Sequence, residues 1–243
     1  NIITLHGLDT ALAAIAASSS VKLYLSPIPL FLSNPTGESV LTDEYAAKKI
    51  LEKYGLKIPF SKKCLSIDAH LVANQIGYPV VLKALGSAHK SDLGEVFLNL
   101  NSQEAVKSCL KNISKEHVII EEMVNNIVVE LLVGIVHDPA HGMILTLAAG
   151  GILTEILSDT SSIILPSSED EILECFNELK ISKIIRGYRG GLDADVNQIL
   201  DAIMKIQNLV LNNKDKIFEI EINPLIVTNS EVIVADALMR EVT

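Results

Sequence analysis

A chain of 243 residues, 49% of them hydrophobic, is long enough for one large domain or two smaller lobes with filled cores. Its mean hydropathy of +0.35 is not gathered into any apolar run of the roughly 18 to 20 residues that a membrane span requires. Twenty Lys and Arg against 30 Asp and Glu give a net charge of -10, which argues against a general nucleic-acid binder working by phosphate neutralisation but leaves room for a local basic nucleotide site.

The three cysteines, Cys64, Cys109 and Cys175, are odd in number, widely spaced and without a CxxC pair. They support neither a disulfide framework nor a zinc site, and point to a reducing, cytoplasmic compartment. The opening at Asn1, without methionine or a basic-then-apolar leader, reads as a piece of a longer polypeptide.

In chain order, Ala11, Leu12, Ile15 and Ala16 recur at helical spacing behind Asp9 and Thr10, then Ser18-Ser19-Ser20 ends the pattern. Residues 21–40 carry Pro27, Pro29, Pro35 and Gly37 among apolar residues, which predicts an extended connector and a boundary near residue 40. Thr42 then caps a predicted helix whose inner face is Ala46, Ala47, Ile50, Leu51 and Tyr54, stopped by Gly55. A short segment from Lys57 to Leu65 leads to a second helix, Asp68 to Ile76, closed by Gly77 before a strand, Val80 to Lys83. This alternation predicts an α/β lobe.

Val96 to Leu100 alternates as a strand, and Asn101 or Ser102 caps a helix to Leu110. Val118 to Glu122, Val128 to Val136 and Met143 to Leu147 follow in close succession and predict an antiparallel sheet in a second lobe. Ala148-Ala149-Gly150-Gly151 interrupts the pattern before two apolar segments, Ile152 to Leu157 and Ile163 to Leu165. Ser167 and Ser168 ahead of Glu169-Asp170-Glu171 start a helix that sends Ile172, Leu173, Phe176 and Leu179 inward. A glycine-rich basic loop, residues 186–191, precedes the longest helical pattern, Asp195 to Leu211. A hairpin, Ile217 to Val227 with Val232 to Ala235, turns at Thr228-Asn229-Ser230.

Four features carry chemistry. Lys83 ends an aliphatic strand and needs a partner for its amine. His89 sits among Lys90, Ser91 and Asp92 in a loop bounded by Gly86 and Gly94, where a neutral imidazole can act as a nucleophile toward phosphate. Glu121-Glu122 and Glu130 put carboxylates at strand ends, able to hold a ribose hydroxyl or orient the lysine, with Met123 and Val124 beside them for an adenine slot. Alternation sends Glu219, Glu221 and Asn223 to one face of the last hairpin and brings Asp236 alongside Asn223, an oxygen donor pair suited to nucleotide-bound Mg²⁺. The remaining histidines form no metal-ligand spacing, and no Ser-His-Asp or Cys-His arrangement stands out.

Lys83, His89-Lys90-Ser91-Asp92-x-Gly94, Glu122-Met123-Val124, Glu130, Gly150-Gly151, Arg186-Gly187-x-Arg189-Gly190 and Glu221-x-Asn223-Pro224-Leu225 together resemble the ATP-grasp domain of the acyl-CoA synthetases that form ADP or GDP. The resemblance covers about residues 41–243, and residues 1–40 are similar to the end of the synthetase-like domain that precedes ATP-grasp in fused members. It implies an α/β ATP-grasp fold with nucleotide between two α+β lobes. It also implies that Lys83, Gly94, Glu122, Met123, Val124 and Glu130 hold ATP or ADP and that Asn223 and Asp236 bind Mg²⁺. Glu221 would face a phosphohistidine arriving from a CoA-binding partner domain, and His89 would be a second phosphate carrier.

The implied reaction interconverts acyl-CoA, ADP and phosphate with a carboxylic acid, CoA and ATP, in an oligomer with neither nucleic-acid nor membrane partners. Ile163 stands where many relatives have arginine, Glu95 where they have glycine, and Ala148 where a loop glycine is common. Ile163 and Glu95 motivate an alternative, a non-catalytic ligand-sensing domain of a protein acetyltransferase.

Overall fold

The computed structural model describes residues 7–19, 35–86, 95–151, 159–185, 187 and 194–242. The chain divides into two units, residues 1–31 and 32–243. The described element of the first is helix α1, Leu8–Ser19.

The second unit starts with strand β1, Ser39–Thr42, and helix α2, Glu44–Lys53. The cap of α2 is Asp43 rather than Thr42: the extended backbone at Asp43 lets its Oδ1 accept from the Ala46 N–H at 2.9 Å. Thr42 belongs to β1, and its hydroxyl donates instead to Glu241 Oε2 at 2.8 Å. The inner face of α2 also differs from expectation. It buries Glu44 and Lys48 with Ala47 and Leu51, so ion pairs share a face that hydrophobicity alone would assign to Ala46, Ile50 and Tyr54.

The smaller sheet holds β2 (Ser61–Leu65), β3 (Val80–Ala84), β4 (Val96–Leu100) and β5 (His117–Glu122) in the order β2-β5-β3-β4, all antiparallel. Helices α3 (Ala69–Ile76) and α4 (Gln103–Leu110) cover one face of it. Gly77 at φ 97° ends α3, and Ser102 caps α4 through the Ala105 N–H at 3.1 Å. Val80, Leu82, Leu100, Val118 and Ile120 meet Ala69, Ala73 and Val106 in one core. That packing places β5 in the smaller sheet, not with the two strands that follow it. Strand period then turns Lys83, Ile119 and Glu121 to the opposite face.

The chain leaves the smaller sheet at Met123 and enters the larger one with β6, Ile127–Asp138. With β7 (Gly142–Ala149), β8 (Thr160–Ile164), β9 (Ile217–Thr228), β10 (Val232–Val234) and β11 (Ala237–Val242), the larger sheet runs β1-β11-β9-β6-β7-β8, and β10 pairs with the second half of β9. The expected hairpin is therefore β9-β10, but a further strand, β11, returns along the first half of β9 and receives β1 at the edge.

Helix α5 (Glu169–Glu178) opens with a reciprocal capping box between Ser168 and Glu171 and packs on β8. A short helix α6 (Ser182–Ile185) and the 17-residue α7 (Val196–Asn212) follow, α7 burying Ile199, Leu200, Ile203, Ile206 and Val210. Gln207 of α7 pins the Ser167 backbone twice, accepting its N–H at 2.9 Å and donating to its carbonyl at 3.0 Å. The three cysteines are free, and burial pushes the Cys64 thiol up to about 11. No helix among the described residues is long and apolar enough to cross a membrane.

Candidate functional site

Strand β3 delivers Lys83 to a buried position, 5% exposed, beneath the N-terminal half of α2. Its ammonium donates to Glu44 Oε1 at 2.8 Å and to the Ala235 carbonyl at 2.7 Å, and lies 3.1 Å from Glu121 Oε2. Lys48 bridges the same two carboxylates from behind, at 2.9 Å to Glu44 Oε1 and 2.6 Å to Glu121 Oε1. Burial alone would push the Lys83 amine down, but Glu44, Glu121 and Asp236 outweigh it and hold the group well above the ordinary lysine value.

The carboxylate that orients Lys83 from β5 is Glu121. Glu122, one residue on, faces the other way in the strand, and its Oε1 accepts the Phe60 N–H at 2.9 Å. Met123 donates its N–H to the Pro79 carbonyl at 3.2 Å, and Met123 and Val124 form the half-buried crossing between the two sheets.

In the larger sheet the buried residues of β6 are Val129, Leu131, Val133 and Ile135, which leaves Glu130 on the opposite face. Glu221 stands opposite Gly134 on that same face, with Leu238 on its other flank. Gly150 follows β7 and donates its N–H to the Glu130 carbonyl at 2.8 Å; Gly151, at φ 59°, lies directly against the Glu130 carboxylate. A side chain at Gly151 would occupy the place of that carboxylate. Burial raises Glu130 above the usual carboxylate value. Its raised proton affinity stabilises the fold below the unfolded-state value, about pH 4.3, and that contribution is lost as pH rises through the folded value.

Asn223 Oδ1 accepts the Gly151 N–H at 3.0 Å, and the Asn223 N–H donates to the Asp236 carbonyl at 3.3 Å. A continuous chain of contacts thus runs from Glu130 through Gly151 and Asn223 to the Ala235-Asp236 turn, and from Ala235 to Lys83. Among the expected site residues, Lys83, Glu130, Asn223 and Asp236 come together, and Glu122 sits apart on Phe60. His89 and Gly94 lie outside the described residues, as do Arg186, Arg189 and Ile152 to Leu157. Glu95, beside the described end of β4, has a buried Oε2 without a hydrogen-bond partner among the described residues.

Sequence reading missed Glu44, Lys48 and the specific role of Glu121. The available signal was positional: Glu44, Ala47, Lys48 and Leu51 fall on one helical face, and Glu121 shares strand parity with Ile119, the register partner of Lys83.

A family model described as "ATP-grasp domain" matches residues 35–240. Over 197 residues the chain is 34% identical to the acetate–CoA ligase (ADP-forming) II subunit beta of Pyrococcus furiosus, a match spanning 76% of this chain and 84% of that one. It is 32% identical over 204 residues to the acetate–CoA ligase (ADP-forming) II of Archaeoglobus fulgidus, spanning 80% of this chain and 29% of that longer one. Among solved structures, it resembles the dinucleotide forming acetyl-coenzyme A synthetase 1 of Ca. Korarchaeum cryptofilum in complex with coenzyme A and Mg-AMPPCP, in which a phosphohistidine segment points towards the nucleotide binding site. That likeness has a TM-score of 0.69 at 29% identity and covers 82% of this chain and 92% of that one.

Proposed function

The chain belongs to the ATP-grasp family, among the ADP-forming acyl-CoA ligases, and on that premise we propose that it is the nucleotide-holding module of such a ligase. The observation that supports this reading most is the convergence of Lys83, Glu130 and Asn223 with the Ala235-Asp236 turn, a cation and oxygen donors brought from separate strands of both sheets. Nucleotide would lie between the sheets, with Met123 and Val124 against the base, Gly94 on the nucleotide, and Lys83 and Glu130 on the phosphate side; Glu122, held apart through Oε1 by the Phe60 N–H, would reach the nucleotide only with Oε2.

Asn223 and Asp236 would hold Mg²⁺. The donor chemistry fits: an amide oxygen and a carboxylate are hard ligands, and the Asn223 N–H to Asp236 carbonyl bond sets the two residues side by side. Asn223 Oδ1 retains a lone pair after accepting from Gly151. When bound, Mg²⁺ supplies positive charge against the phosphate oxygens.

In the ATP-forming direction the phosphoryl group passes from histidine nitrogen to ADP: an N–P bond breaks as the O–P bond of ATP forms, and the reverse holds for acid activation. Glu221 would face the partner's phosphohistidine, and His89 would carry the group within this chain. The partner is a CoA-binding, phosphohistidine-bearing domain or subunit, and we place the assembly as an oligomer in the cytoplasm. The relatives named above are ligases, so the ligand-sensing alternative is not carried further.

Labelled ATP with Mg²⁺, with and without the partner, tests the reading. Acid-labile, base-stable label on a histidine of this chain, absent in His89→Ala, is expected; absence of label on this chain under every partner condition contradicts it.

A further inference from the structure

Resting on the reading that Glu221 faces a partner's phosphohistidine, we propose that Gly134 is a positioning residue: its bare Cα leaves room for the main chain of the segment carrying that histidine to pass over β6 beside Glu221. Glycine inside a strand weakens it, because it loses more backbone entropy on folding and has no side chain to pack. Gly134 lies within β6, half-buried, on the face that bears Glu130. The reasons internal to a chain that keep glycine in a strand do not apply to it. Its backbone is not left-handed. No bulge falls on it, since pairing runs in register from Val133 to Val136 against β9 and from Leu131 to Asp138 against β7. Among the described residues a Cβ here would meet only Leu132 Cδ2, at an ordinary 3.7 Å. At Gly150 the chain's own backbone forbids a side chain; at Gly134 no described atom does.

The remaining reason is the close approach of another backbone from outside these strands. Gly134 is flanked by Glu221 on β9 and Thr146 on β7, with Leu238 and Ser162 one strand further out on either side. All of these are half-buried or exposed, so the row is a notch between two oxygen-bearing side chains rather than a packed layer. Thr146 Oγ1 and Ser162 Oγ pair with each other at 2.9 Å along its floor. Main chain suits such a notch, because its N–H groups need acceptors and find them there. The next row, Val136, Ile144 and Ile164, adds apolar surface beside it, with Val136 39% and Ile164 51% exposed. The step that depends on this fit is the hand-off between His89 and the partner's histidine, in which one N–P bond breaks as the other forms. A Cβ at Gly134 would lift the passing segment by about 1 Å or more, and a misplacement of that size costs about 100-fold in rate.

Gly134→Ala, compared with the parent chain alone and with the histidine-bearing partner, tests this. In urea, the folded-to-unfolded ratio of the variant is expected to be no lower than the parent's, with a gain of up to about 5-fold. With labelled ATP and Mg²⁺ alone, label should accumulate on this chain as it does in the parent. When the partner is added, transfer of that label to the partner's histidine should slow about 100-fold. Gly134→Val, which fills more of the notch and suits a strand, should slow it further. A destabilised Gly134→Ala chain overturns the proposal, because this chain's own atoms then use the space. So does a stable variant that hands label to the partner at the parent rate, or one whose own labelling falls in step with the transfer, the pattern of a disturbed nucleotide site. A parent that passes no label to the partner contradicts the nucleotide-module reading itself, and the proposal falls with it.

Discussion

Gly150→Ala is expected to cost about 3 kcal/mol or more of stability, the upper part of the range for overpacking a closed interior, and to remove nucleotide binding with it. A Cβ at this position would lie 2.5, 2.6 and 2.8 Å from the carbonyl carbon, oxygen and nitrogen of Leu131. These are backbone atoms of β6 inside the larger sheet, and they cannot rotate away. Relief would require β7 and β6 to part where the Gly150 N–H bonds the Glu130 carbonyl, the place that sets Glu130 and Gly151 against each other. Gly151→Ala is the informative contrast. Its obstacle is the Glu130 carboxylate, the movable end of a side chain, and its left-handed backbone adds roughly 1–2 kcal/mol. Urea denaturation should therefore separate the two alanines, with position 150 much the more costly.

Lys48→Met is expected to destabilise the chain by about 3–5 kcal/mol, the usual consequence of removing one partner from a buried ion pair. The side chains of Glu44 and Glu121 are each 2% exposed, and without Lys48 they share a single cation, Lys83, which also feels Asp236. Two carboxylates then compete for one ammonium away from water, a desolvated excess of negative charge. The pH dependence has a definite sign. The folded-state value of Lys83 is raised, so its contribution is fully present below the ordinary lysine value, about pH 10.4, and is lost only as pH rises through the higher folded value. Denaturation of the parent between pH 7 and 9 should show no loss attributable to this lysine, whereas the Lys48→Met deficit persists throughout.

Much of this architecture was legible in the chain because local rules and burial agree. Ser168 with Glu171, the apolar face of α7 and the glycine stop at Gly77 each specify an element without help from distant residues. The face of β9 that bears Glu221 and Asn223 follows from strand period, and the nearness of Asp236 follows from the turn. What escaped sequence reading depends on partners distant in sequence. Glu44 and Lys48 look like a solvated i,i+4 pair until β5 and β3 supply Glu121 and Lys83 across the interface. The displacement of β5 into the smaller sheet is likewise set by packing against α3 and α4, which a count of successive strands does not contain. Strand β11, six residues with one basic and one acidic side chain, Arg240 and Glu241, pairs with β9 and β1 rather than declaring itself by alternation.

Calorimetric titration of ATP into the chain, with and without Mg²⁺, decides whether this module holds a Mg²⁺-bound nucleotide. Saturable binding at one site is expected, strengthened by Mg²⁺ in the parent and without that Mg²⁺ dependence in Asp236→Asn. Absence of binding by the folded parent chain, or a Mg²⁺ dependence unchanged by Asp236→Asn, would contradict it.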